Sequence, residues 1–148
     1  CDYDYEYGRL SLIEGEYDTV GNLIKETSYF QNGNSNDDLI FEYEETFTYD
    51  EQGHMTEENY NDGHYPTTTK YEYDANGFQI KASTYYQNQL EMYSTYENDA
   101  NGNCIRADYY EADGTLNGYM TYERDTNGTI ISISNYDADG NLESVTEN

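Results

Sequence analysis

Hydrophobic and polar positions in this chain alternate in short runs, and glycine-bearing turns interrupt them at regular intervals. The stretch YEYDANGFQIK, Tyr71 to Lys81, shows the unit. Tyr71 and Tyr73 alternate with Glu72, Asp74 to Gly77 form a turn, and Phe78 to Lys81 resume an extended pattern. Alternation with period two predicts strands, and Asn-Gly predicts a hairpin with a type I′ turn, in which both central residues take positive φ. Related stretches begin at Tyr17, Thr48, Glu97 and Glu123. Their turn glycines are Gly21, Gly53, Gly77, Gly102 and Gly128, which sets a repeat of about 25 residues. A second turn falls midway through each unit, at Gly33, Gly63, Gly114 and Gly140, with Gln87, Asn88 and Gln89 filling that slot in the third unit. An insertion, Gln31 to Asp38, reads as a loop. No segment carries the apolar period of a helix.

The expected fold is all-β: an antiparallel meander of repeated β-hairpins, about 10–12 strands, in one twisted, curled and partly single-layer sheet. Residues 1–148 read as a single repeat domain, with 1–16 a tether or capping strand and 17–148 the repeats. Alternate residues share a face. Ile24, Ile80, Ile105 and Ile131 therefore fall in one row with Ala82, Ala107 and Ile133, the expected inner row. Lys25, Lys81 and Arg106 fall on the opposite, wet face, where they are expected to pair with acids on neighbouring strands. Tyr29, Tyr85, Tyr110 and Tyr136 share that face and are expected to form a ring ladder, with Tyr60 one residue out of step. Tyr71, Tyr73, Tyr96 and Tyr122 are expected to be packing residues.

Composition sharpens this picture. Leu, Ile, Val and Phe make up only about 14% of the chain, a share that with a net charge of −25 would suggest disorder. The 20 tyrosines argue otherwise, since each buries a ring while its hydroxyl stays wet. The acidity excludes charge-driven binding to nucleic acid or to anionic membrane. The opening Cys1, followed by DYDYEY, fits a lipid-bearing mature N-terminus, so membrane attachment is expected only through a lipid on Cys1. Cys104 stands alone, and the two cysteines form neither a zinc site nor a disulfide framework.

YDADGNLESVT, Tyr136 to Thr146, resembles the YD repeat of Rhs proteins, wall-associated bacterial proteins and teneurins. YDTVGNLIKET and YEYDANGFQIK are similar; ENDANGNCIRA and ERDTNGTIISI carry Asn98 and Arg124 in place of the tyrosine. The resemblance implies a secreted or cell-surface array of β-hairpins, with carbohydrate contact in some members. The chain is too short for an enclosing shell and lacks a self-cleaving core motif, so a toxin-enclosing role does not carry over. MORN-like hairpin repeats are a neighbouring possibility.

Turns such as Asp99–Asn101–Gly102, Asp125–Asn127–Gly128 and Asp137–Asp139–Gly140 suggest calcium, but each lacks ligands that a full calcium loop supplies, and an Asp closing its own turn explains the same letters. His54 and His64 flank turn glycines. No nucleophile motif or phosphate loop occurs, and 31 carboxylates make any chosen acid pair uninformative. No catalytic residue, metal site or cofactor is assigned. The expected function is a non-enzymatic bacterial surface or secreted module. It would bind glycan or a surface protein through Tyr29, Tyr85, Tyr110, Tyr136, Lys81 and Arg106. The alternatives are an assembly module that self-associates through sheet edges and a calcium-stiffened adhesin.

Overall fold

The computed structural model describes residues 2–6, 9–32 and 39–147, with side chains for 11–31 and 39–147. Cys1, Tyr7, Gly33 and the remainder of 33–38 lie outside the described residues, as do the side chains of Tyr3 and Tyr5. The structure is all-β, as the alternation predicts. Its strands are β1 (Asp2–Glu6), β2 (Arg9–Tyr17), β3 (Leu23–Asn32), β4 (Ile40–Tyr49), β5 (Met55–Asn61), β6 (Thr67–Tyr73), β7 (Gln79–Tyr86), β8 (Gln89–Asn98), β9 (Cys104–Glu111), β10 (Leu116–Arg124), β11 (Ile130–Asp137) and β12 (Leu142–Glu147). Strand order in the sheet is the order in the chain. β3 continues through Asn32, so the expected loop does not begin at Gln31. The chain divides into two compact units, Cys1–Thr69 and Lys70–Asn148.

The turns explain why the pattern folds this way. At Asp74, the Gly77 amide donates to the Asp74 carbonyl at 3.0 Å and the Asp74 amide donates to the Phe78 carbonyl at 2.9 Å. The same pair of bonds closes the turns that start at Asp18, Asp50, Asp99, Glu111, Asp125 and Asp137. Only the glycine takes positive φ, 83° at Gly77. This is a three-residue loop, a type I turn followed by a left-handed glycine that forms a bulge, and not the type I′ turn expected from Asn-Gly. The reason lies in the acid at the head of the loop. Asp74 Oδ1 accepts from the Asn76 amide at 2.8 Å and the Phe78 amide at 2.9 Å, which holds the residues between in the right-handed region. Positive φ at two successive residues occurs at Gln87 and Asn88, 49° and 64°, the one midway turn without glycine.

Gly102 and Gly128 share the left-handed conformation, with φ of 84° and 85°, but not the same surroundings. A methyl group on Gly128 meets nothing within 4 Å, whereas one on Gly102 runs into the Phe78 ring of the preceding repeat. Gly128→Ala should cost the backbone term alone, about 1–2 kcal/mol. Gly102→Ala should cost about 1–3 kcal/mol more, because the ring must leave its place. Urea unfolding of the two variants checks the difference.

At three turns the residue before the turn acid ties its repeat to an earlier one. Tyr49 Oη donates to the Leu23 carbonyl at 2.8 Å, Asn98 Nδ2 to the Gln79 carbonyl at 2.8 Å, and Arg124 Nη2 to the Cys104 carbonyl at 3.5 Å. Each acceptor lies two residues beyond a turn glycine: Gly21, Gly77 or Gly102. What the repeats share at this position is therefore a hydrogen-bond donor of sufficient reach, which is why Asn98 and Arg124 can stand where other repeats have tyrosine. Tyr49→Phe should lower stability by about 0.5–1.5 kcal/mol, the net worth of one such bond, read as a shift in the denaturant midpoint.

Among the described residues, the only buried hydrophobic side chains are Leu12, 7% exposed, and Ala107, 1% exposed. Of the expected inner row, Ala107 is buried and Ile24, Ala82 and Ile133 are half-buried, but Ile80, Ile105 and Ile131 are 38%, 40% and 43% exposed. The deepest positions are held by small side chains, Ala107, Ser28 and Ser83, and Thr27 and Asp108 are buried as well. In this sheet, cover comes from large neighbours on adjacent strands. A short side chain between tall rings is shielded, while a long aliphatic one protrudes past them.

Candidate binding faces

In unit Lys70–Asn148, register fixes one face. Lys81 lies opposite Thr95 and Ser83 opposite Tyr93; Tyr93 lies opposite Tyr110, Asp108 opposite Tyr119, and Tyr119 opposite Tyr136. The rings pair across strands. Tyr93 and Tyr110 stack with centroids 4.8 Å apart and planes at 11°, and Tyr119 and Tyr136 stack at 4.7 Å and 11°. These spacings match the separation of neighbouring strands, so each pair stands as two parallel plates on adjacent strands. A cation caps each stack. Lys81 Nζ lies 5.2 Å from the Tyr93 centroid, and the Arg106 guanidinium 3.9 Å from that of Tyr119.

The cations are also held by acids. Lys81 Nζ is 3.2 Å from Glu72 on a neighbouring strand, as expected. Arg106 pairs instead within its own strand. Its Nε donates to both oxygens of Asp108, at 3.0 and 3.2 Å, and its Nη2 to Oδ1 at 2.6 Å. These bonds raise the Arg106 pKa further and hold the guanidinium over the Tyr119 ring.

The structure thus places Lys81, Tyr85, Arg106, Tyr110 and Tyr136 on one face of this unit. Tyr85 lies under Lys70, 5.7 Å from its Nζ. Tyr110 and Tyr136 do not stack in a common ladder; each takes a partner outside the expected set, Tyr93 or Tyr119. The signal was available, because both partners precede their tyrosines by the same interval along the chain. In unit Cys1–Thr69, Tyr29 shares a face with Lys25 and meets Phe41 edge-on at 6.3 Å. Lys25 bonds Glu44 at 2.8 Å and approaches Glu16 at 4.0 Å. Tyr60, out of step by one residue, lies on the other face of this unit, 5.6 Å from Tyr43.

The second face of unit Lys70–Asn148 carries a phenol cluster. Ala107 lies between Tyr96 and Met120 on its two neighbouring strands. Tyr109 Oη donates to Met120 Sδ at 3.3 Å, and Tyr122 Oη lies 3.6 Å from the same sulfur. Beside it an open cleft of about 370 Å³ is lined by Gln79, Tyr96, Asn98, Gly102, Cys104 and Tyr122. Burial pushes the Cys104 thiol up, and its sulfur donates to the Arg106 carbonyl at 3.3 Å.

The turn carboxylates serve their own loops. Asp99 Oδ1 accepts from the Asn101 and Asn103 amides and Oδ2 from the Asn103 side chain, all at 2.9 Å. Asp125 and Asp137 follow the same scheme, so calcium would have to displace these bonds. His54 Nδ1 lies 3.0 Å from Asp50 within one turn, and His64 Nδ1 lies 3.2 Å from the Asp62 carbonyl. Among the described residues, no group of three or more His, Cys, Asp or Glu side chains is placed to hold a metal ion.

These environments set the pH dependence. The Phe78 amide foremost holds the Asp74 carboxyl below its ordinary value, and the Thr129 amide does the same for Asp125. The Asn103 side chain leads at Asp99, and that of Asn141 at Asp137. Carboxyls depressed by folding stabilise above their unfolded pKa, and that stability is lost as pH falls through the folded one. Burial, then Glu58 and Glu26, raises Glu45, which favours the fold as pH drops from neutral. Burial first, then the bond to Glu26, pushes Tyr43 up to about 12; burial, then Tyr122, pushes Tyr109 up to about 12. A phenol raised by folding stabilises below its unfolded pKa of 10.0, and that stability drains away between there and about 12. Urea midpoints across pH should therefore fall on both sides: below the ordinary carboxylate range and above the ordinary phenol pKa.

No family model matches the chain, and no curated protein is detectably similar to it. Among the solved structures that align with it are the following three. TcdB2-TccC3-TEV aligns at 16% identity and TM-score 0.42 over 92% of this chain, which spans 9% of that one. A protein of unknown function from Bacteroides fragilis NCTC 9343 aligns at 13% and 0.36, covering 95% of this chain and 94% of its own. A DUF3836 family protein from Parabacteroides distasonis ATCC 8503 aligns at 14% and 0.33, covering 95% and 92%.

Proposed function

We propose that the chain is a non-enzymatic YD-repeat-like module of the bacterial surface or of secreted proteins, which binds extracellular material, glycan or protein, through its tyrosine-rich sheet. The observation that carries this reading is the pair of half-exposed, cation-capped tyrosine stacks repeated in register on one face of residues 70–148. Aromatic rings with wet hydroxyls, set beside Lys, Arg and carboxylates, offer the mixed apolar and polar contact that saccharides and protein surfaces both require. Their rigidity lowers the entropy cost of binding. Labelled protein on arrays of glycans and surface proteins tests the reading. Binding should be lost in Tyr85→Ala plus Tyr110→Ala. Binding indifferent to these residues would refute the face as the site.

A second reading, self-association through strand edges, draws on β12, whose six residues are all exposed, with Leu142 at 54% and Val145 at 47%. Sedimentation that depends on concentration, together with silent arrays, would favour it.

A further inference from the structure

We propose that Tyr93–Tyr110 and Tyr119–Tyr136 are sites of oxidative crosslinking within the chain, where each stack is converted by one-electron oxidation into a covalent bityrosine bridge. Two phenoxyl radicals couple within one chain when an ortho carbon of one ring can reach an ortho carbon of the other during the lifetime of the radicals, which close neighbouring rings allow. Both stacks meet that demand, with centroids 4.8 and 4.7 Å apart and planes at 11°. Direct cross-strand pairing fixes them, since Tyr93 lies opposite Tyr110 and Tyr119 opposite Tyr136. Two other ring pairs are less suited. Tyr43 and Tyr60 are farther apart, at 5.6 Å, and tilted by 30°, and Tyr29 faces a phenylalanine, which forms no phenoxyl radical. All four stacked tyrosines are half-exposed, so a diffusing oxidant reaches them.

The chemistry balances with an oxidant of the peroxide class acting through a haem peroxidase. Each ring gives up one electron and its phenolic proton. The two phenoxyl radicals join through a carbon ortho to each oxygen, and each ring then passes its ortho hydrogen back to oxygen, which restores both phenols. Two tyrosines and one hydrogen peroxide yield one bityrosine and two waters. The bridges tie β8 to β9 and β10 to β11 and so close loops that oppose unfolding of these strands.

The whole chain, kept dilute, is treated with peroxidase and hydrogen peroxide, then followed by bityrosine fluorescence, denaturing electrophoresis and peptide mass mapping after cleavage at glutamate. The protein should remain a monomer, its melting temperature should rise, and two crosslinked peptide pairs should appear, joining Tyr93 to Tyr110 and Tyr119 to Tyr136. Tyr110→Phe should lose the first pair and Tyr136→Phe the second. Both variants keep the ring and hence the fold, which the circular dichroism of untreated protein verifies. The double variant should show neither pair and no rise in melting temperature. Crosslinks that join separate molecules, or a yield unchanged in the double variant, would overturn the proposal.

Discussion

Alanine in place of Gly118 should cost about 3 kcal/mol, the upper end of what overpacking costs, and a large share of the stability of an ordinary domain. The methyl group would lie 2.5 Å from the Tyr136 carbonyl oxygen, a backbone atom that cannot rotate aside. Gly118 is buried between two strands, opposite Tyr109 on β9 and Asp137 on β11, and the register shifts at the adjoining step from Leu116. Relief would require β10 and β11 to part where Tyr119 stacks on Tyr136. The loss should thus appear both in the denaturant midpoint and in the near-ultraviolet tyrosine signal. Asn117→Ala, one residue earlier and exposed, should stay within about 0.5 kcal/mol of the parent.

Arg106→Met should cost about 2–3 kcal/mol. The Asp108 side chain is only 12% exposed, and Arg106 is its bonding partner through three short contacts. Removing the cation leaves a carboxylate shielded from water without its counter-charge, which in a fully buried setting costs about 3–5 kcal/mol. The estimate here is lower because the Arg106 side chain is 36% exposed and water can enter its place. The same substitution uncovers the Tyr119 ring. Arg106→Met combined with Asp108→Ser should recover most of the loss, since no charge is then stranded. A double variant as unstable as the single one would show that ring capping, not charge pairing, is the arginine's main work.

The glycine spacing made the strands and turns legible because turn chemistry is local: an acid, a left-handed glycine three residues on, and alternation on either side. Turn type was less legible. Asn76 and Gly77 suggest two positive φ values, but the Asp74 carboxylate captures the amides of Asn76 and Phe78 and only Gly77 turns left. The cationic residues and Tyr110 and Tyr136 could be placed on one face by counting from the glycine. Their ring partners, Tyr93 and Tyr119, were marked only by a shared interval along the chain, because they belong to strands counted from a different turn. Burial along the expected inner row was legible at Ala107, which lies between the taller side chains of Tyr96 and Met120, and not at Ile80, Ile105 and Ile131, which are exposed.

The central claim is that paired tyrosines hold this sheet where an aliphatic core would normally do so. A double-mutant cycle replacing Tyr119 and Tyr136 with leucine, singly and together, measures it by urea unfolding. The account predicts a coupling of about 1 kcal/mol between the two rings, in the range for aromatic pairs beyond simple burial. Losses that add to within about 0.3 kcal/mol would mean the rings act independently, and the claim would fail.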